Sequence, residues 1–219
     1  MSETPVPVEV VGSEGVRLRG LEWPVAGPPV VFVHDFGGDL DLWGPITAGL
    51  AGAGFRVISL ELSGHGLSDG EPDPGSVARD IGVMVAQASR LWGPVGLVTC
   101  GESARGSVGT GAASGAPVHI LISPPEMPVE FMKGGEKALR IIMAGGGDVE
   151  GHAAAKRAHD HLRGQRMLMT VSGASERGVA LAGLRPSILE DMAQFFRLYL
   201  APINMAWIAR KEAEAKKPS

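Results

Sequence analysis

Apolar and polar positions alternate along the chain with two different periods. Residues 6–10 and 15–22 alternate every second position around a glycine-containing turn, which predicts an antiparallel hairpin. Five short and almost entirely apolar runs follow, each typical of a strand buried on both faces of a parallel sheet. They are residues 29–34, 55–62, 95–100, 117–123 and 166–172.

Segments with helical spacing separate these runs, at residues 43–53, 76–90, 103–114, 131–143 and 150–163. The last helix has its own start signal, because Ser187 and Glu190 form a capping-box pattern after Pro186. The alternation predicts an α/β fold with a doubly wound, mainly parallel sheet and an N-terminal antiparallel hairpin. No linker composition divides the chain, so one domain is expected over residues 1–219.

Composition narrows the function classes. The net charge of −4 gives no basic surface for nucleic acid, and no apolar run approaches the ~18 residues of a membrane span. The N-terminus lacks the pattern of a signal peptide, and the only cysteine, Cys100, can form no internal disulfide. No histidine or cysteine spacing suggests a metal site. We therefore expect a cytoplasmic protein without nucleic-acid or membrane partners, metal or cofactor.

Three polar stretches directly follow predicted strands: "HDFGGDLDLW" at 34–43, "GHGLSDG" at 64–70 and "GESARG" at 101–106. In this order the chain resembles the α/β-hydrolase family over roughly residues 16–125. The resemblance implies an α/β-hydrolase-like fold, here with a shortened C-terminal end. It also implies hydrolysis of a small carboxylic ester or thioester, with Ser103 as the nucleophile.

The resemblance assigns the rest of the site. The backbone N–H groups of Phe36 and Ala104 would form the oxyanion hole, and Glu176 would be the acid of the triad. Four further residues lie near this site in sequence, namely His34, Asp35, Glu102 and Arg105. Two of them replace glycines of the family pattern: Asp35 follows the histidine of the oxyanion loop, and Arg105 lies two residues after Ser103.

The triad histidine is missing from its usual place. No histidine follows Glu176, and only nine residues separate Glu176 from Pro186, where the family has a helix, a final strand and the histidine loop. Loss of the base costs serine hydrolases about a million-fold in turnover. The favoured hypothesis is therefore a hydrolase-fold protein with weak or lost hydrolysis that still binds a small molecule. The alternative is an active ester or thioester hydrolase that uses Ser103 with a displaced base.

Two further expectations concern the C-terminal half. Residues 124–164 lie where the family inserts lids, and His152, His159 or His161 on such a lid could replace the missing base. A shortened sheet would leave the strand at 166–172 on an edge, where it could form a homodimer. A dinucleotide-binding turn is disfavoured, because no acidic residue ends the strand after "CGESARG".

Overall fold

The computed structural model describes residues 4–12, 15–109, 115–133 and 138–216. Within these residues eight strands form one sheet in the order β1-β2-β4-β3-β5-β6-β7-β8. The strands are β1 Val6–Val11, β2 Arg17–Trp23, β3 Pro29–Val33, β4 Arg56–Leu60, β5 Gly96–Cys100, β6 Val118–Ile122, β7 Leu139–Gly145 and β8 Arg166–Val171. Strand β2 pairs antiparallel with β1 and with β4, and all other pairs are parallel. The predicted hairpin and mainly parallel sheet are confirmed.

Helices cover both faces of the sheet. They are α1 Gly44–Gly52, α2 Val77–Trp92, α3 Gly101–Gly109, α4 Val149–His161, α5 Gly178–Ala182, α6 Pro186–Tyr199 and α7 Ala201–Ala215. Alternate residues of β3 enter different cores, because successive side chains of a strand point to opposite faces. Phe32 packs with α1 and α6, whereas Val31 packs with α2. Helices α3 and α4 share a third apolar cluster against β6 and β7.

One predicted helix is wrong. Residues 131–133 end a short 3₁₀ turn, Val129–Lys133, and residues 139–143 belong to strand β7, while residues 134–137 of the predicted helix lie outside the described residues. Strand β7 is a short apolar run, which periodicity alone cannot distinguish from a buried helix. A charged residue, Arg140, also interrupts the run, although it is buried and one of its guanidinium N–H groups donates to the carbonyl of Arg163.

Two smaller expectations also need correction. Helix α6 starts at Pro186 with Arg185 as its N-cap, and no side chain caps it, so the predicted capping box is absent. Helix α3 starts at Gly101 rather than Ser103, and residues 110–114 of the predicted helix lie outside the described residues.

The added strand β7 changes how the C-terminal half is understood. The helix and final strand that the resemblance requires are present as α4 and β8, and they precede Glu176 rather than follow it. Strand β7 and helix α4 also lie within the segment 124–164. Strand β8 lies at an edge of the sheet, where it was predicted.

None of the described helices is long and apolar enough to cross a membrane.

Candidate functional site

The sharp turn between β5 and α3 falls at a glycine. Strand β5 ends at Cys100, and Gly101 has a φ of 54°, in the left-handed region that favours glycine. Ser103 is already inside the first turn of α3 and is 0% exposed. Its hydroxyl donates a hydrogen bond to the backbone oxygen of His34. The expectation that this turn presents Ser103 is therefore wrong, because the turn occurs two residues earlier.

The Asp35 carboxylate fills the space above Gly101. Its Oδ1 atom accepts hydrogen bonds from the backbone N–H of Phe36, at 2.8 Å, and from that of Glu102, at 2.7 Å. A Cβ atom placed on Gly101 would overlap all three atoms of this carboxylate. Of the two predicted oxyanion-hole donors, the backbone N–H of Phe36 therefore points at the space above Gly101. Ala104 instead lies buried in the cluster of α3 and α4.

Burial governs the ionisation of the groups under this turn. Desolvation raises the pKa of Asp35 above its ordinary value, with a smaller contribution from the charge of Glu102, and the two backbone N–H groups oppose the rise. Burial also raises the pKa of the Cys100 thiol, with help from the charge of Asp35. Burial and the raised pKa both favour the thiol form of Cys100 over the reactive thiolate.

The two histidines near the oxyanion loop hold backbone in place. His34 Nδ1 donates to the carbonyl of Asp35 at 2.7 Å, and its Nε2 accepts from Leu62 N–H at 3.2 Å. His65 uses the same pattern with Ser63 O and Gly37 N–H, both at 3.0 Å. Burial lowers the pKa of His34, which agrees with a neutral ring. Both nitrogens of each imidazole ring are therefore occupied by backbone hydrogen bonds.

A second carboxylate, Asp148, follows strand β7. Its side chain caps α4 by accepting from Gly151 N–H at 3.1 Å, and it binds the guanidinium of Arg177 through both oxygens. Arg177 lowers the pKa of Asp148. Sequence reasoning missed this pair because β7 was missed. The signal was "GGGD" at 145–148, a glycine run that ends a strand and leads to a carboxylate.

The glycine run brings the loops after β7 and β8 together. Gly147 N–H donates to Ala174 O at 2.7 Å, and a Cβ on Gly145 would lie only 2.5 Å from the same oxygen. Glu176, the predicted acid, belongs to the loop after the last strand, and its carboxylate accepts from Ser175 N–H at 2.9 Å. The carboxylate that binds the Arg177 guanidinium is therefore Asp148, in the loop after strand β7, and not Glu176.

These elements enclose a cavity of about 760 Å³ at the carboxyl ends of the strands. Asp35, Gly101 and Glu102 lie on its side nearest the sheet. Ser103, Ala104 and Glu176 do not line it. The other lining residues come from the loop after β6, from α4 and from the loop after β8, namely Ser123, Pro124, Pro125, Glu126, Val149, Glu150, Gly151, Ala153, Ala154, Arg157, Arg177 and Gly178.

The histidines of α4 do not line the cavity. His152 Nε2 lies 2.9 Å from Thr170 Oγ1, His159 lies 3.2 Å from the carboxylate of Asp160, and His161 donates to a backbone carbonyl of its own helix. Arg105 makes a long contact of 3.4 Å to Glu102 and stacks on the ring of Phe131. Among the residues that the structure describes, no group of His, Cys, Asp and Glu could hold a metal ion.

Comparisons with known proteins agree with this architecture. The model of the alpha/beta hydrolase fold family matches residues 28–94. A component of the acetoin cleaving system of Cupriavidus necator, a dihydrolipoyllysine-residue acetyltransferase, is 31% identical over 121 residues, which are 54% of this chain and 31% of that protein. The chain thus spans about a third of that relative.

Solved structures match nearly the whole chain at low identity. A complex of DcsB with its substrate analogue has a TM-score of 0.79 at 14% identity, covering 90% of this chain and all of that one. Dienelactone hydrolase from Anabaena variabilis gives 0.72 at 18%, covering 91% and 99%. The Pyrococcus furiosus esterase Pf2001 gives 0.71 at 14%, covering 90% and 91%. The chain is an α/β-hydrolase-fold protein.

Proposed function

We propose that this protein binds a small molecule in the cavity above Gly101 and that its serine hydrolase activity is weak or lost. The observation that carries the proposal is the Asp35 carboxylate between two backbone donors. In α/β-hydrolases the nucleophile stands at the strand-to-helix turn, and the oxyanion hole uses the N–H of the next residue and one from the loop after β3. In this chain those positions are Gly101, Glu102 and Phe36.

An oxyanion hole accelerates acyl transfer because its donors are free to bind the charge that develops in the transition state. Here both donors bind a carboxylate oxygen, at 2.7 and 2.8 Å. The negative charge of that carboxylate would also repel an incoming oxyanion. The two effects act in the same direction, so Asp35 opposes ester hydrolysis at this site.

The other triad positions support the same proposal. The family order is nucleophile, acid and then histidine, with the acid after the seventh strand in this fold and the histidine after the eighth. The corresponding loops here carry Asp148 and Arg177. An arginine stays protonated in proteins and cannot act as a general base. Ser103, for its part, directs its hydroxyl to the carbonyl of His34.

The size of the cavity and the nature of the similar proteins support a small organic ligand. Ligand pockets in proteins measure about 300–1,000 Å³, and this cavity, at about 760 Å³, lies in that range. The similar structures include an esterase and a dienelactone hydrolase, whose names denote hydrolysis of esters and of a dienelactone.

The test is labelling by a fluorophosphonate probe, which reacts with activated serines. We expect no labelling of the wild type that depends on Ser103, and equal hydrolysis of nitrophenyl acetate by the wild type and by Ser103→Ala. A matched control is Ser107→Ala, since Ser107 is a buried serine one turn further along α3. Labelling that is abolished in Ser103→Ala but kept in Ser107→Ala would establish the alternative, an active hydrolase with a displaced base.

The proposal includes two properties of the whole protein. A cytoplasmic location is supported by the single cysteine, because Cys100 is buried and can form no internal disulfide. A homodimer is supported by strand β8, which pairs with β7 on one side and lies at the edge of the sheet. Exposed edges of this kind commonly pair with another chain.

A further inference from the structure

Only one of the two oxygens of the Asp35 carboxylate, Oδ1, accepts hydrogen bonds from the described residues. In the described part of the chain, the hydrogen bonds to this carboxylate come from Phe36 and Glu102, and both go to Oδ1. Asp35 lines the cavity, so Oδ2 is the oxygen left for a ligand. Resting on the proposed function, we infer that the ligand is a small organic cation whose protonated amine donates to Asp35 Oδ2.

The charges around the cavity favour a cation. Its two arginines are already neutralised, because Arg157 binds both carboxylate oxygens of Glu126 and Arg177 binds both of Asp148. In both pairs the planar guanidinium faces the two oxygens of one carboxylate, so each positive charge is matched at short range. The charged groups that remain for a ligand near the sheet are therefore carboxylates rather than guanidinium groups.

Two more carboxylates add to the negative potential. Glu102 lines the cavity beside Asp35, and its contact with Arg105 is long, at 3.4 Å, and exposed. Exposed pairs of this kind contribute little. Glu150 also lines the cavity and is 93% exposed, with only a 3.9 Å contact to Arg177. A cation in the cavity is therefore attracted by Glu102 and Glu150 and finds an acceptor in Asp35.

The remaining wall suits the organic part of such a ligand. Pro124 and Pro125 on one side and Val149, Ala153 and Ala154 on α4 give the cavity an apolar lining. Burial of apolar surface provides most of the affinity of small ligands, while a few placed polar groups fix their orientation. An amine attached to an aromatic or aliphatic group matches both parts of the wall.

An anionic ligand meets the opposite situation. A carboxylate could reach the N–H groups of Phe36 and Glu102 only by displacing Asp35, which is joined to Phe36 by the chain itself. It would also have to approach the Glu102 carboxylate, which carries a charge of the same sign. The geometry therefore discriminates between ligands of similar shape and different charge.

Three probes of similar shape test the inference by calorimetric titration at pH 7.5: benzylamine, benzyl alcohol and benzoate. We expect the dissociation constant of benzylamine to be at least about tenfold lower than those of the other two, as for one hydrogen bond between charged groups. In Asp35→Asn the amide oxygen can accept from both backbone donors, which places its NH₂ group where Oδ2 was. That variant should lose the preference for benzylamine.

The control is Glu130→Gln, which removes the same charge from an exposed position that does not line the cavity. It should bind all three probes as the wild type does. Tighter binding of benzoate or of benzyl alcohol, no binding of benzylamine, or an unchanged preference in Asp35→Asn would overturn the inference. Fluorophosphonate labelling of the same preparations reports on the loss of hydrolysis separately, so the two proposals can fail independently.

Discussion

The overlap between Gly101 and Asp35 makes a quantitative prediction about stability. In Gly101→Ala the new methyl group must displace the Asp35 carboxylate, since a Cβ at this position overlaps that group. Two costs add. A non-glycine residue in the left-handed region costs about 1–2 kcal/mol. Loss of two hydrogen bonds from backbone N–H to a charged oxygen costs about 3 kcal/mol, the low end of the range because the displaced carboxylate is rehydrated in the cavity.

We therefore expect Gly101→Ala to lower the free energy of unfolding by about 4–5 kcal/mol. In an Asp35→Ala background the same substitution should cost only the conformational term, about 1–2 kcal/mol. The coupling energy of this double-mutant cycle is then about 3 kcal/mol. Urea denaturation followed by tryptophan fluorescence measures all four corners of the cycle.

A matched glycine isolates the conformational term. Gly178 has a φ of 55°, almost the same as Gly101, and a Cβ placed on it meets no atom within 4 Å. Gly178→Ala should therefore cost about 1–2 kcal/mol in either background. If Gly101→Ala cost no more than Gly178→Ala, or cost the same with and without Asp35, the carboxylate would not occupy this position.

Three further predictions concern ionisation, catalysis and assembly. Because the folded-state pKa of Asp35 is raised above its ordinary value of 3.8, the stabilisation from its protonation is complete below 3.8 and is lost as the pH rises through the folded-state value. The thermal stability of Asp35→Asn relative to the wild type should therefore increase with pH over that window, and a constant difference would contradict the pKa direction. Combining Gly101→Ser and Asp35→Gly with Arg177→His supplies a nucleophile, an open hole and a base beside Asp148. This triple variant should label with fluorophosphonate at least about tenfold faster than the same variant with Arg177 kept, and equal rates would contradict the assignment of the three positions. Met167→Lys places a charge on the exposed side of strand β8 and should shift a dimer to monomer in analytical ultracentrifugation, whereas a wild type that is already monomeric would exclude pairing through this edge.

The sheet was largely predictable because its central strands are buried on both faces. Phe32 and Val31 lie in different cores, so both must be apolar, and the run at 29–34 is recognisable without any structure. Strand β7 was not predictable in the same way. Its pattern contains Arg140, which is buried and donates to the backbone carbonyl of Arg163, and a partner so far along the chain cannot be seen in a local pattern.

Missing one strand displaced the predicted site. With β7 absent, the acid was sought after residues 166–172 and Glu176 was selected, whereas the loop after β7 carries Asp148. The proposed nucleophile position, Gly101, differs from the predicted Ser103 for a different reason. "GESARG" contains a serine in the expected spacing, and only the φ of Gly101 shows that the chain turns before that serine. The sequence alone does not predict the backbone conformation of a glycine, because glycine adopts positive and negative φ values equally readily.

The position of the Asp35 carboxylate affects how easily a free carboxylate could bind to this site. Ester hydrolysis releases a carboxylic acid, and in this fold the anion of such a product would lie against the same two backbone donors that Asp35 now binds. Asp35 therefore resembles a product molecule that is attached to its own site by the polypeptide. Attachment by a short tether corresponds to an effective concentration in the millimolar range or above. Free carboxylates at lower concentrations would therefore rarely displace it from the N–H groups of Phe36 and Glu102.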